Sequence, residues 1–337
     1  MLGWIKSWLG SPPATKPRKG PRRTHAVPPL ILRKDASLPI VDWDAMDVHV
    51  PAGAKPEVLD AFWTEAARAW LEALGPALGK EYSIRESDRF LLLSPVEEAR
   101  SKVILDYVEK TQKRILYVLS GIAKESEMGK VCLLLFSDQD CYYQYVSNYY
   151  PPSGEFSLSG GMFLQHGYGH FVFVADDMHV MEPTIAHELT HCLVQHLPIP
   201  AWLNEGIAVS TEHRLSPPRG APLFTPEEMH QKHLAFWNEA TMQEFWSGKS
   251  WLRADDANLL SYDLATHFVS MSSQDLDVFR AFTNSADRAD SGDAAARKHL
   301  GYPVGHLAEA VLGRGAWEPR PETWKEGVER GQFRVRG

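Results

Sequence analysis

The pattern of apolar and polar positions divides the chain into a mixed part and a mainly helical part. Continuous apolar runs at 89–94 and 131–136 predict buried strands, and 160–164 and 171–174 predict a further pair joined by a turn rich in Gly and His. Apolar residues at helical spacing predict a long helix over 95–120, between the first two strands.

The segments on either side of this region have a helical pattern. Apolar residues at 61–74 predict an amphipathic helix that ends near Gly75 and Pro76, after a strand-like stretch. Residues 215–337 are mainly helical, with breaks at Pro residues and at turns rich in Gly and Ala. The pattern therefore predicts an α+β fold in which helices dominate the second half.

One predicted helix carries a chemical motif. Residues 187–191 read His-Glu-Leu-Thr-His, an H-E-x-x-H sequence in which His187 and His191 lie one turn apart on the same helical face. Both imidazoles can therefore bind one tetrahedral zinc ion. Glu188 is displaced by one residue from the first ligand, so its carboxylate is expected beside the metal-bound water and not on the metal.

A plain amphipathic helix with two surface histidines is the alternative interpretation, because five residues are few enough to match by chance. The flanking sequence favours the metal site. Pro183 and Thr184 suit a helix start, and Pro198 and Pro200 stop the helix. The apolar face of this helix, which is distinct from the histidine edge, consists of Ile185, Leu189, Cys192 and Leu193.

A second stretch, 200–208, contains one acidic residue in an apolar setting. It reads Pro-Ala-Trp-Leu-Asn-Glu-Gly-Ile-Ala, and its acid, Glu205, stands fourteen residues after His191. A carboxylate among such neighbours is costly to desolvate unless it is paired or bound to a metal. An acid near a helix N-terminus, favoured by the helix dipole, is the alternative interpretation.

Together, H-E-x-x-H and the later P-x-W-L-x-E-G-x-A resemble the gluzincin metallopeptidases, especially the compact peptidase MA-like families. The resemblance implies that Glu205 is the third zinc ligand, with Glu212 in reserve because a longer gluzincin spacing falls close to it. A metzincin would need Gly at Val194 and His at Leu197, which excludes that class. The resemblance also implies a zincin-like fold over 88–275, in which a mixed β-sheet upper lobe carries the active-site helix above a mainly helical lower lobe.

Gluzincins commonly use a later Tyr or His to stabilise the oxyanion. Tyr262 lies in the helical stretch 259–269, where the peptidase MA-like families carry a comparable tyrosine, so the resemblance implies that its hydroxyl donates to the developing charge. A tyrosine that only packs its ring is the alternative. His267 is a weaker candidate for the same role.

The strand at 160–164 is the candidate for binding extended substrate at the sheet edge, because paired glycines allow another backbone to approach. Family aminopeptidases carry an acid near this strand to bind the substrate amine. No acid occurs in 160–164, and Glu155 is the nearest, so an endopeptidase is favoured over an aminopeptidase. A catalytically silent binding protein on the same scaffold is a further alternative, although the intact Glu188 argues against it.

The sequence therefore predicts a zinc metallopeptidase that acts on a peptide or protein substrate. One zinc ion is bound by His187, His191 and Glu205, with Glu188 as general base and Tyr262 as oxyanion stabiliser. Four regions are expected: a disordered basic Pro-rich tail (1–35), an N-terminal helical and strand extension (36–87), the zincin-like domain (88–275), and a helical C-terminal extension with a tail (276–337).

Composition narrows the class of protein. The chain has 337 residues and a net charge of −8, which suits one large domain or two modest ones and gives no electrostatic sign of nucleic-acid binding. Its three cysteines show no metal-type spacing and favour a reducing compartment. No segment reaches the roughly 18 apolar residues of a membrane span. We therefore expect a cytoplasmic protein with no transmembrane span and no nucleic-acid partner.

The N-terminal tail has a composition of its own. Residues 1–10 are too interrupted for a signal-peptide core, but Trp4, Ile5, Trp8 and Leu9 form a small apolar stripe. A basic Pro/Gly run follows at 16–23. The expected tail is disordered, and its composition is compatible with weak docking on an anionic membrane surface or a partner protein.

Overall fold

The structure, a computed structural model, describes part of the chain, which contains both helices and strands. The described residues are 29–50, 53–126, 128–149, 160–165 and 167–324. Most of the predicted N-terminal tail and Glu155 lie outside them. Twelve α-helices and five strands occur in the described part, which confirms the α+β fold class. No helix among these residues is both long enough and apolar enough to cross a membrane.

The strands form one mixed sheet. They are β1 (Ser83–Glu86), β2 (Phe90–Ser94), β3 (Val131–Phe136), β4 (Gly161–Leu164) and β5 (His170–Val174). Their order is β1-β2-β3-β5-β4, with β2, β3 and β5 parallel and the two edge strands antiparallel to their neighbours. The strand predicted at 160–164 is therefore an edge strand, and it packs against the helix that carries H-E-x-x-H.

Helices cover both faces of this sheet. They are α1 (Trp43–Met46), α2 (Pro56–Leu78), α3 (Glu98–Val118), α4 (Gln139–Val146) and α5 (Met178–Val194). Successive residues along β2 alternate between two apolar clusters: Phe90 and Leu92 pack with α3 and α5, whereas Leu91 and Leu93 pack with α2. Burial on both faces explains why the central strands are continuous apolar runs.

The rest of the described chain is helical. It comprises α6 (Ala201–Leu215), α7 (Pro226–Phe236), α8 (Glu239–Trp246), α9 (Asp256–Ser272), α10 (Leu276–Thr283), α11 (Asp293–His299) and α12 (Gly305–Leu312). Helix α6 packs against α5 on one side and α9 on the other. Its Trp202 is fully buried against Trp246 and Phe268, so aromatic packing fixes α6 between its neighbours.

Two helix boundaries differ from the sequence expectation. Helix α5 begins at Met178 and not at Pro183, which lies inside the helix and forgoes one backbone hydrogen bond. Asp177 starts the helix one turn earlier through its carbonyl, which accepts from Val180 and Met181. Similarly, α2 continues through Pro76 to Leu78. A proline inside a helix is tolerated here because apolar residues on both sides are buried.

Gly206 allows α6 and α9 to approach closely. A Cβ atom built at this position would lie 2.6 Å from the carbonyl oxygen of Ala265 and 2.7 Å from Cγ2 of Val269. The first of these atoms belongs to the backbone and cannot rotate away. The glycine that follows Glu205 therefore has a packing role, because it sets the distance between the helices that carry Glu205 and Tyr262.

We expect Gly206→Ala to destabilise the fold by roughly 1 kcal/mol and by at most about 2 kcal/mol. Overpacking costs about 1–3 kcal/mol, against a gain of about 1 kcal/mol in helix propensity. Denaturant unfolding measures the change. Gly160→Ala is the matched control, since a Cβ there meets nothing within 4 Å. Equal midpoints for the two variants would contradict the packing role of Gly206.

Candidate metal centre

The three predicted ligands, His187, His191 and Glu205, come together between α5 and α6. The Nε2 atoms of His187 and His191 lie 3.3 and 3.4 Å from Oε2 of Glu205. One ligand atom from each of the three residues lies within 4.8 Å of the other two. The two histidines share a face of α5 because they are one turn apart, and α6 brings the acid to that face. This group could hold a metal ion.

The shared carboxylate oxygen is not satisfied by the protein. Oε2 of Glu205 is buried and has no hydrogen-bond donor among the described residues, although the two imidazoles are close. Their separations of 3.3 and 3.4 Å are longer than a regular N–H···O bond. A buried carboxylate oxygen without a donor is costly, and a cation at this point would remove the cost.

The other ring nitrogen of each histidine has its own partner. Nδ1 of His187 lies 3.0 Å from Oε2 of Glu212, and Nδ1 of His191 lies 3.1 Å from Oδ1 of Asn204. Both partner oxygens can only accept, so each imidazole carries a proton on Nδ1, and Nε2 is the nitrogen left to face Glu205. This arrangement orients histidines for metal binding through Nε2.

Glu212 and Asn204 therefore act on the histidines from outside the group of three. The sequence suggested Glu212 as a reserve ligand, but the structure places it on the far side of the His187 ring. Asn204 was not predicted at all. Its position directly before Glu205 was the available signal, since the residue next to a ligand on a helix can face the neighbouring histidine.

Glu188 lies beside the group without joining it. Its Oε2 accepts a hydrogen bond of 2.7 Å from the backbone amide of Phe163 on β4. Burial raises the pKa of the Glu188 carboxyl, although the two imidazoles and the Phe163 amide act in the opposite direction. The contact with Phe163 had no side-chain signal in the sequence, because the donor is a backbone group on a distant strand.

Tyr262 lies on α9, which faces the group. Its ring centroid is 6.3 Å from that of His187, and the ring also contacts Trp251. The negative charge of Glu205, together with burial and the charges of Glu188 and Glu212, raises the pKa of the Tyr262 hydroxyl. The hydroxyl therefore stays protonated and can donate a hydrogen bond.

His267, the weaker candidate for stabilising the oxyanion, contacts an acid outside the candidate metal centre. Its side chain is 58% exposed, and its Nε2 lies 3.4 Å from Oδ2 of Asp263. Asp263 also accepts from Nε2 of His233 at 2.8 Å, and Nδ1 of His233 accepts from Nε1 of Trp237 at 2.8 Å. These contacts attach α7 to α9, which gives Asp263 and His233 a structural role.

The electrostatics of the site favour a cation. Three carboxylates, those of Glu188, Glu205 and Glu212, surround two imidazoles. Although burial opposes both shifts, the nearby histidines hold the pKa of Glu205 well below its usual range, and the nearby carboxylates of Glu205 and Glu212 raise the pKa of His187. The raised pKa of His187 reflects the negative charge of the surrounding acids, which a metal ion would neutralise.

Comparisons with known proteins do not identify the metal centre, so its assignment depends on the distances and contacts given above. No protein-family model matches the chain, and no curated protein matches it.

Proposed function

We propose that the chain is a zinc-dependent metallopeptidase of the gluzincin type. The observation that carries the proposal is the buried Oε2 of Glu205, which lies 3.3 and 3.4 Å from the Nε2 atoms of two imidazoles whose Nδ1 atoms have other partners. Two ligand atoms on a tetrahedral zinc ion with bonds of about 2.0–2.1 Å are about 3.3–3.4 Å apart. The donor set of two imidazoles and one carboxylate also suits zinc better than calcium or magnesium.

A zinc ion held by His187, His191 and Glu205 would polarise a peptide carbonyl and lower the pKa of a water molecule. Glu188 is the general base: it accepts a proton from the attacking water and then donates that proton to the leaving amine. Burial raises its pKa, which strengthens it as a base. The Phe163 amide holds one carboxylate oxygen, so the other is the one that moves the proton.

Tyr262 donates its hydroxyl to the oxyanion of the tetrahedral intermediate. We expect Tyr262→Phe to lower kcat by about 10²–10³-fold with little change in KM, because the lost hydrogen bond forms only as charge develops. Steady-state kinetics on a peptide substrate measures both constants. Tyr107→Phe is the matched control: this hydroxyl bonds Ser216 and the carbonyl of Glu182, outside the proposed machinery. An effect of the same size in both variants would remove Tyr262 from the mechanism.

The position of β4 at an edge of the described sheet supports a peptide substrate. The amide of Val174 donates to the carbonyl of Gly160, so in the antiparallel pair the backbone groups of Gly161 and Phe163 point away from β5. The outward Phe163 amide reaches Glu188, which shows that this edge faces the site. An extended chain added to β4 would lie beside the general base. This geometry favours an endopeptidase.

Metal removal tests the proposal as a whole. We expect the purified chain to contain about one zinc ion and to cut members of a peptide library, because all three ligands lie in one group. A chelator should abolish cleavage, and added zinc should restore it. Elemental analysis and mass spectrometry of the digest provide the readouts. Zinc binding without cleavage would support the catalytically silent binding protein, and no metal binding would overturn the metallopeptidase.

A further inference from the structure

A cavity lies on the opposite face of α6 from Glu205 and Glu212. Its volume is about 350 Å³, which lies in the range of small-molecule sites. The end of α3, the end of α9 and helix α10 form the other walls. Residues 207, 211 and 214 of α6 face this cavity, roughly half a helical turn away from Glu205.

The cavity has an apolar floor. Ile207, Val269 and Phe279 line it and are at most 4% exposed. Leu119 and Ile122, also buried, continue the same surface. A ligand that fills this space must therefore present an apolar body.

Both charged residues of the lining are arginines. Arg214 and Arg280 contribute to the walls, and no acidic side chain does so within the described part of the chain. Asp277 pairs with Nη1 of Arg280 at 2.7 Å but is itself largely exposed and is not part of the lining. The charged side chains of the lining are thus both basic and lie next to apolar surface.

Arg280 is fixed in place. Its Nε donates to the carbonyl of Ser120 at 2.8 Å, and its stem lies against Gly121, where a Cβ would be only 2.6 Å from Cδ of the arginine. Nη2 donates to no group among the described residues. A guanidinium held on two sides with a free third nitrogen is preorganised to bind an anion.

We propose that this cavity binds a small amphipathic carboxylate, with the apolar body on Ile207, Val269 and Phe279 and the anionic head at Arg280 and Arg214. The site is separate from the candidate metal centre and does not depend on the proposed peptidase function. An alkyl carboxylate such as octanoate matches both the charge and the apolar floor.

Calorimetric titration of the full chain with octanoate tests the proposal. We expect saturable binding of one molecule and affinity at least tenfold lower for octan-1-ol, which lacks the charge. Arg280→Gln and Arg214→Gln should each weaken octanoate binding about tenfold through loss of a charge-assisted bond. Arg297→Gln is the matched control, because that arginine also pairs with an aspartate of its own helix but lies outside the cavity.

Two further variants distinguish binding in this cavity from binding at the candidate metal centre or elsewhere on the surface. Ser273→Trp places a large ring in the lining and should abolish binding while the melting temperature shows that the chain is folded. Glu205→Gln removes a candidate metal ligand, so octanoate that merely coordinates a metal would be lost in this variant. Retained binding in Glu205→Gln supports the cavity. Absent binding, equal binding of octan-1-ol, or unchanged binding in the arginine and Ser273 variants would overturn the proposal.

Discussion

Replacing Glu188 by glutamine is expected to lower peptide hydrolysis by about 10²–10⁴-fold, the range for loss of a general base. The amide has nearly the same shape as the carboxylate but cannot accept the proton of the attacking water. Metal content should not change, because Glu188 is outside the group formed by His187, His191 and Glu205. Single-turnover cleavage of a peptide, together with elemental analysis, measures the two quantities.

Glu182→Gln is the matched control for this experiment. Glu182 lies on the same helix, and its carboxylate contacts only the exposed Arg219 at 3.3 Å among the described residues. The same chemical change at this position should leave cleavage within a small factor of the wild-type rate. Full activity in Glu188→Gln would exclude the mechanism, even if zinc is bound.

Replacing Glu205 by glutamine is expected to weaken zinc binding by more than the roughly 10–100-fold that loss of an outer partner costs. The variant loses the charged oxygen on which both Nε2 atoms converge. Glu212→Gln is the informative comparison, because it removes an acid of the same helix that contacts Nδ1 of His187. Competition with a zinc-binding dye gives both dissociation constants.

The order of the two effects decides which acid is the ligand. If Glu205 binds the metal and Glu212 orients His187, the Glu205 variant loses more affinity than the Glu212 variant. The reverse order would make Glu212 the third ligand and require α6 to shift by two turns relative to α5. Equal and small effects would place the third ligand outside both residues.

The local part of the site could be predicted from the sequence because helical geometry fixes it. His187 and His191 share a face at a spacing of four residues, and Glu188 must then project beside them. The choice of Glu205 over Glu212 came from the resemblance to the gluzincins, because helical geometry alone does not separate the two acids. These two acids are seven residues apart and lie on the same face of α6, so either could turn towards a histidine. The packing of α6 on α5 decides which ring nitrogen each acid meets.

The secondary structure also contains elements that the sequence predicts and elements that it does not. Strands β2 and β3 were predictable because burial on both faces makes them continuous apolar runs. Strand β1, Ser-Ile-Arg-Glu, has one apolar residue and extends the sheet by pairing with β2. The short helix α1 likewise has no periodic pattern long enough to detect. Helices and strands that depend on a partner distant in the sequence have little apolar pattern by which the sequence could predict them.

The cover that α2 provides for the sheet has a practical consequence for fragments. A fragment that begins at residue 88 keeps every ligand of the candidate metal centre but loses α2. The part of the sheet that α2 covers, including Leu91 and Leu93, would then meet water. Exposed apolar strands associate with one another, so such a fragment is expected to aggregate during expression. The smallest expressible unit of this protein therefore extends well upstream of its motif, to a helix that contributes no ligand.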